Sequence, residues 1–113
     1  MRLKSEIWVK AYLRQWFSRG NFGAILRIGA SEAGAVYVVI NRLDGTVNIF
    51  GPAPGPAYDE EGDRRWALAV PATIPAADVP AFISKQERVD PDIWVIELED
   101  RAGTAGIECA DED

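Results

Sequence analysis

Five carboxylates towards the C-terminal end come closest, by type and spacing, to residues that could do catalytic chemistry. They are Asp90, Asp92, Glu97, Glu99 and Asp100. Two carboxylates that flank a substrate can act as general acid and general base, as they do in carboxylate-dependent hydrolases. Glu97 and Glu99 share one face of a predicted strand at about 7 Å spacing. Any solvent-facing strand shows the same pattern, so a hydrolase is the second alternative and not the leading hypothesis.

The sequence contains no histidine, which is the commonest general acid or base and the commonest zinc ligand. Catalysis by Ser-His-Asp or Cys-His groups is therefore excluded for this chain. Cys109 is the single cysteine, so no intramolecular disulfide can form, which fits a reducing cytoplasm. The acidic run 59–61 lacks the order of an EF-hand loop, and Arg64 and Arg65 follow it closely. We expect a non-enzymatic protein without cofactor or bound metal.

A proline-rich loop at residues 51–65 is the leading candidate for binding. Stiff proline segments lose little entropy when they dock on a partner. The predicted partner-binding residues are Pro52, Pro54, Tyr58, Asp63, Arg64, Arg65 and Trp66. The alternative is a plain hairpin connection in which Arg64 or Arg65 pairs with the acidic run. If the arginines serve binding alone, replacing both with alanine leaves the melting temperature nearly unchanged.

A basic cluster near the N-terminus offers a different function, the binding of nucleic acid or another anion. Its residues are Arg2, Lys4, Lys10 and Arg14. Such clusters bind phosphates, with an affinity that falls steeply as salt rises. The chain as a whole is acidic, however, with an isoelectric point near 4.6, and repels nucleic acid at long range. The alternative is a solvated helix face that pairs with Glu97, Glu99 or the acidic loop.

Charge is divided along the chain. Residues 1–42 hold seven Lys and Arg against two Asp and Glu, whereas residues 43–113 hold five against sixteen. The two parts can neutralise each other or present opposite faces to a partner, and the sequence leaves both open. The expected partner is another protein or a second copy of the chain in a homodimer. Nucleic acid is a weaker expectation, and no apolar run is long enough for a membrane partner.

The elements that must position these residues can be predicted from periodicity. Residues 5–19 predict an amphipathic helix, with Ser5 as N-cap and Gly20 after its end. Strands are predicted at 24–29, 35–41, 46–50, 65–70, 93–99 and 104–109, and a second helix at 76–88. The strand at 35–41 contains an unbroken apolar run, residues 36–40, and is placed at the centre of the sheet. The predicted fold is α+β, with a mostly antiparallel sheet of five to six strands and both helices packed on it.

The domain organisation and the tryptophans complete the prediction. Residues 1–109 are expected to form one globular domain, and residues 110–113 an acidic tail. The four tryptophans lie on predicted apolar faces and are expected in the core. Cys109 is expected to be an inert or exposed thiol.

Five segments in order carry a resemblance that spans nearly the whole chain. They are LKSEIWVKAYLR (3–14), NRLDGT (41–46), FGPAP (50–54), GDRRW (62–66) and DPDIWVIELEDR (90–101). Together they resemble a family of small alphaproteobacterial proteins classed as a domain of unknown function. The resemblance implies a small bacterial cytoplasmic protein of one domain. It implies no activity, cofactor or catalytic residue.

Overall fold

The computed structural model describes residues 4–110, in which a six-stranded sheet is accompanied by two α-helices. The elements are α1 (Ser5–Ser18), β1 (Gly23–Arg27), β2 (Val36–Asn41), β3 (Thr46–Pro52), β4 (Trp66–Leu68), β5 (Ile74–Pro75), a 3-10 turn (Ala76–Asp78), α2 (Val79–Val89) and β6 (Trp94–Glu99). The strand order is β1-β6-β2-β3-β4, and β5 also pairs with β3. The predicted α+β class and mostly antiparallel sheet are confirmed. Only β2 and β6 pair in parallel among the described strands.

The two helices pack on opposite faces of the sheet. Val9 and Leu13 of α1 are buried against a set that includes Val38 and Ile96. Val79 of α2 is buried in a second set that includes Val39 and Val95. Residues 38 and 39 therefore point to different helices, as neighbours on a strand must. Both faces of β2 are covered, which explains its unbroken apolar sequence and its central place.

The first helix is capped in a way the sequence pattern did not indicate. Ser5 is its first residue and not its N-cap, which is Lys4 without a side-chain hydrogen bond. The backbone N–H groups of Ser5 and Glu6 instead donate to the carbonyls of Glu32 and Ser31, each at 3.0 Å. These N–H groups have no partner within the helix, so the 31–34 turn satisfies them. The predicted role of Gly20 is confirmed, with φ at +80°.

The two differently charged parts of the chain interleave. Residues 1–42 supply α1, β1 and β2, and residues 43–113 supply the remaining elements. In the strand order, β6 of the second part lies between β1 and β2 of the first part. Arg27 and Glu87 join the parts directly, with Nε and Oε2 at 2.8 Å. Strands of the two parts thus share one sheet, whereas α1 from the first part and α2 from the second lie on its opposite faces.

Three predicted boundaries need correction. Strand β3 continues through Gly51 and Pro52, because Pro52 pairs with Trp66 in β4. The strand predicted from residue 65 is short, Trp66–Leu68. The last predicted strand is wrong: residues 101–106 form turns and bends, and Cys109 makes one isolated bridge to Trp66.

The predicted acidic tail begins at Ala110, whose N–H donates to the Trp66 carbonyl. Residues 111–113 and Arg2 lie outside the described residues, so the tail stays a prediction. Neither of the α-helices within residues 4–110 is long and apolar enough to cross a bilayer.

Candidate functional site

The candidate site is built on residues 53–65, which we call the proline loop. The loop leaves the sheet at the end of β3 and returns at the start of β4. Its base is closed by the Ala53 N–H, which donates to the Arg65 carbonyl at 3.0 Å. The Arg65 side chain crosses the loop, and its Nη1 donates to the carbonyls of Pro54 at 2.9 Å and Pro56 at 2.8 Å. Proline has no backbone N–H, so this segment cannot form regular backbone hydrogen bonds. The Arg65 guanidinium fixes its conformation instead, by binding two of its carbonyls.

The acidic tip of the loop is held by its own backbone. Asp59 Oδ1 accepts hydrogen bonds from the N–H groups of Glu61 at 3.0 Å and Asp63 at 2.9 Å. The Gly62 N–H donates to the Asp59 carbonyl, and Gly62 takes φ at +86°. The predicted pairing of the loop arginines with this acidic run is wrong for residues 4–110. The ion pairs there are Lys4–Glu32, Lys10–Glu6 and Arg27–Glu87.

Arg64 packs against two aromatic rings. The centre of its guanidinium lies 5.1 Å from the ring centroid of Trp8 and 5.6 Å from that of Tyr58. Both distances are within the range of cation–π attraction. Trp8 in turn stacks on Tyr12, with centroids 4.9 Å apart. The side chains of Tyr58, Arg64, Trp8 and Tyr12 thus contact one another in that order and connect the loop to the first helix.

The remaining contacts of Arg64 are few. Nη2 donates to the hydroxyl of Ser5 at 3.0 Å, and that hydroxyl donates to the Gly34 carbonyl at 2.5 Å. Nε is buried without a partner in the part of the chain that the structure describes. Burial lowers the pKa of Arg64 from its ordinary value, partly opposed by Tyr58. The arginine is thus a half-buried cation without a carboxylate partner among residues 4–110.

Two cavities adjoin the proline loop, and Tyr58 and Arg65 line both. The larger is an open hollow of about 1220 Å³ beside β4, bordered by Pro54, Leu68 and Cys109 among others. The smaller, about 300 Å³, lies towards α1 and is lined by nine residues. These nine are Ala33, Ala35, Val36, Pro52, Ala57, Tyr58, Arg64, Arg65 and Trp66.

Most of the predicted partner-binding residues converge on these cavities. Pro52, Arg64 and Trp66 line the smaller cavity, Pro54 lines the larger, and Tyr58 and Arg65 line both. Asp63 lines neither, and its backbone belongs to the turn at the tip. Arg64 and Arg65 also hold the loop in place. We therefore no longer expect their joint replacement to leave the melting temperature unchanged.

Three residues of the site were not singled out from the sequence. Trp8 packs partly buried against the core, as expected, and also contacts Arg64; Cys109 is exposed, as expected, and also lines the larger cavity. Ser5 was assigned a capping role, yet its side chain is fully buried. Its burial could have been predicted from its position, because residues 5, 9 and 13 lie on the same face of the helix. A serine aligned with Val9 and Leu13 indicates a buried polar contact.

The basic cluster is partly neutralised by neighbours in the first part of the chain. Lys4 Nζ lies 3.6 Å from Glu32, and Lys10 Nζ lies 3.4 Å from Glu6. The predicted pairing with Glu97, Glu99 or the acidic loop is therefore wrong for both lysines. Arg14 is exposed. The cluster presents less free positive charge than its sequence indicates.

The carboxylates considered for catalysis do not converge. Asp90 and Asp92 precede β6 and Asp100 follows it, with a strand of six residues, about 20 Å, between them. Asp90 Oδ1 accepts a hydrogen bond from the Asp92 N–H, and Asp100 Oδ2 accepts one from the Ala105 N–H. These side chains therefore hold turns. In residues 4–110 no three Asp, Glu or Cys side chains are grouped to hold a metal ion.

A second exposed surface follows the edge strand β1. Phe22 and Ile28, at its two ends, are 58% and 71% exposed. Arg27 is turned away from solvent, since it donates to Glu87 and to the Ile93 carbonyl. The edge therefore lacks the free charges that usually protect edge strands.

Comparison with known proteins places the chain among relatives without an assigned activity. The sequence profile described as "Protein of unknown function (DUF1491)" matches residues 3–108. A solution structure from A. tumefaciens is 36% identical, with 100% of this chain and 98% of that chain covered and a TM-score of 0.78. No curated protein is significantly similar.

Two structures of a DUF1491 family protein from Caulobacter crescentus are also similar. The crystal structure is 37% identical, covers 89% of both chains and has a TM-score of 0.72. The NMR structure is 38% identical, covers 91% of this chain and 90% of that chain, and has a TM-score of 0.71.

Proposed function

The chain belongs to the DUF1491 family of proteins of unknown function, and we propose that it is a protein-binding module that holds an extended segment of a partner protein in the larger cavity. The observation that carries the proposal is the preorganised proline loop beside an open hollow. Arg65 and the Asp59 turn already hold the loop, so a partner would not have to order it. Preorganisation of this kind lowers the entropic cost of binding.

The walls of the larger cavity indicate the chemistry of the partner. Pro54, Leu68 and Pro71 supply apolar surface, and Leu68 is 49% exposed although it lies in a strand. In an extended segment, alternate side chains point to the same side. Small apolar side chains at alternate positions would therefore all face this surface and cover it. The site therefore favours a segment with apolar side chains at alternate positions.

The charges of the same walls favour a basic partner. Asp59 and Glu60 line the cavity, while the single cation there, Arg65, donates to two loop carbonyls. The chain also carries a net charge of −6, which attracts basic segments at long range. We propose that the segment includes Lys or Arg near Glu60. The proposed setting is the bacterial cytoplasm, where Cys109 would stay reduced.

Cys109 allows a direct test, because it is the only cysteine and it lies in the wall of the larger cavity. A photo-activated cross-linker attached to Cys109 would be used in native cell extract, and the cross-linked peptides mapped by mass spectrometry. The control protein carries Cys109→Ser and Ser84→Cys, which moves the same probe to an exposed position on α2. We expect the Cys109 probe alone to label one extended segment with basic and apolar residues.

The mapped segment would then be synthesised and titrated against the purified protein. We expect Glu60→Gln to weaken binding roughly tenfold, as loss of a charged contact does. Ser84→Lys is the matched control, because it changes the net charge by the same amount at a distant place. Identical labelling from both probe positions, or equal effects of both substitutions, would refute the proposal.

The alternative of nucleic-acid binding through the N-terminal cluster is less favoured. Of its three residues within 4–110, Lys4 and Lys10 are paired with Glu32 and Glu6. Recovery of nucleic acid that falls steeply with salt, and that is abolished by Arg14→Ala, would support that alternative instead.

A further inference from the structure

The smaller cavity beside Arg64 shares Tyr58 and Arg65 with the segment-binding hollow, but it is lined by positive charge where the hollow also carries carboxylates. Its lining includes Arg64, Arg65 and Tyr58, and none of its nine residues is Asp or Glu. The larger cavity, in contrast, is lined by two carboxylates. We propose that the smaller cavity binds a carboxylate carried on a short apolar body, with the Arg64 guanidinium as its anchor.

Arg64 is suited to this role because it is already held in place. Its guanidinium lies against the rings of Trp8 and Tyr58, and Nη2 donates to the Ser5 hydroxyl. A guanidinium carries five N–H donors, and within residues 4–110 the one bond from Arg64 is that to Ser5. None of the ion pairs in that range includes Arg64. Donor capacity is therefore left for a carboxylate.

The environment of Arg64 strengthens the attraction for an anion. Rings and apolar walls cannot neutralise the guanidinium, and burial removes part of its hydration. A half-buried cation without a counter-charge is unfavourable, so a bound carboxylate would relieve the cost. The planar guanidinium is already fixed in position, so less side-chain entropy is lost when a carboxylate binds. Ser5 acts here as a positioning residue.

The size and walls of the cavity define the rest of the ligand. A volume of about 300 Å³ lies at the lower end of the range for small-molecule pockets. Ala33, Ala35, Val36, Ala57 and Trp66 form an apolar wall. A branched or aromatic body of a few carbon atoms would fill this space. Two sources offer that chemistry, a free monocarboxylic acid and the C-terminal carboxylate of a peptide with an apolar last residue.

The test compares acids with their neutral amides on the unchanged protein, observed by ¹⁵N NMR. The probes are isobutyrate against isobutyramide, benzoate against benzamide, and acetyl-Gly-Val acid against acetyl-Gly-Val amide. We expect shifts at the Trp66 indole N–H, with at least one acid bound roughly tenfold more tightly than its amide. Saturation by the free acids alone identifies a small-molecule site, and saturation by the peptide acid identifies a peptide terminus. Equal binding of every acid and amide, or no binding, would overturn the proposal.

Variants then assign the charge to Arg64. Arg64→Lys keeps the charge but loses the two parallel N–H donors of the guanidinium. We expect it to weaken acid binding roughly tenfold. Arg14→Lys is the matched control on an exposed arginine of α1 and should leave the affinity unchanged. Glu60→Gln, which tests the segment-binding hollow, should also leave it unchanged, so the two proposals can fail separately. An affinity for the acids that Arg64→Lys leaves as unchanged as Arg14→Lys does would mean attraction by charge alone and refute the assignment.

Discussion

Arg64 donates a hydrogen bond from Nη2 to the Ser5 hydroxyl at 3.0 Å, across 59 positions of the chain. The same hydroxyl donates to the Gly34 carbonyl at 2.5 Å. One buried oxygen therefore connects the proline loop, the start of α1 and the turn before β2. Gly34 lies between Ala33 and Ala35, which line the smaller cavity together with Arg64.

Ser5→Ala should destabilise the protein by about 1–3 kcal/mol, because Gly34 and Arg64 would each lose a partner in a buried place. Denaturant unfolding measures the difference. Ser18→Ala is the matched control, since its hydroxyl bonds the Gln15 carbonyl at an exposed position, and should change stability by less than about 0.5 kcal/mol. If both substitutions change the free energy of unfolding equally, the buried contact does not contribute to stability beyond an exposed hydrogen bond.

Arg65→Ala should loosen the proline loop without disturbing the sheet. It removes two hydrogen bonds to the carbonyls of Pro54 and Pro56, at an expected cost of about 1 kcal/mol. Hydrogen exchange should accelerate at the Ala53 amide, which bonds to the Arg65 carbonyl, and stay unchanged at Ile96 in β6. Arg101→Ala, at an exposed turn, is the control and should alter neither amide. Unchanged exchange at Ala53 would contradict the role given to Arg65.

The Asp44 carboxylate should titrate below its ordinary range in the folded protein. The Thr46 hydroxyl, at 2.6 Å, and then the Thr46 N–H, at 2.9 Å, donate to Asp44 and lower the pKa of its carboxyl. A lowered folded-state pKa gives a stabilisation that is present above the unfolded pKa and is lost as the pH falls through the folded value.

Thr46→Val removes the hydroxyl and keeps the branched strand residue, so the pKa of Asp44 should rise towards its ordinary value. Thr46→Ser is the control and should keep it low. The measurement is a ¹³C titration of the Asp44 carboxyl carbon. The same pKa in both variants would contradict the assignment to the hydroxyl.

The pair of Arg27 and Glu87 should contribute more than the exposed pair on α1. Arg27 also donates to the Ile93 carbonyl at 2.6 Å, so its side chain is already fixed between β1 and α2. A double-mutant cycle with Arg27→Met and Glu87→Gln should give a coupling of about 0.5–1 kcal/mol that weakens in high salt.

The same cycle on Lys10 and Glu6, with Lys10→Met and Glu6→Gln, should give about 0.3–0.5 kcal/mol, as exposed helix pairs do. A coupling at Arg27 and Glu87 no larger than this control would show that the pair does not fasten α2 to the sheet edge.

The features determined by the sequence are those that depend on neighbours along the chain. The apolar repeat at residues 5–18 and Gly20 predicted the extent of α1, because helical periodicity and left-handed φ are local properties. The pair Asp44-Gly45 is typical of a hairpin turn, and Gly45 takes φ at +88° between β2 and β3. The unbroken apolar run 36–40 predicted a central strand covered on both faces.

The tertiary structure alone decided which distant residues meet. Parallel pairing places β6 between β1 and β2, and no local pattern encodes that choice of neighbour. The sequence predicts that Arg64 binds a partner or pairs with the acidic run, whereas folding brings the Trp8 ring and the Ser5 hydroxyl to it. Burial and cation–π contact depend on packing between elements far apart in sequence. The sequence therefore indicated a binding loop, and only the tertiary structure gave it adjoining cavities and a cation fixed against α1.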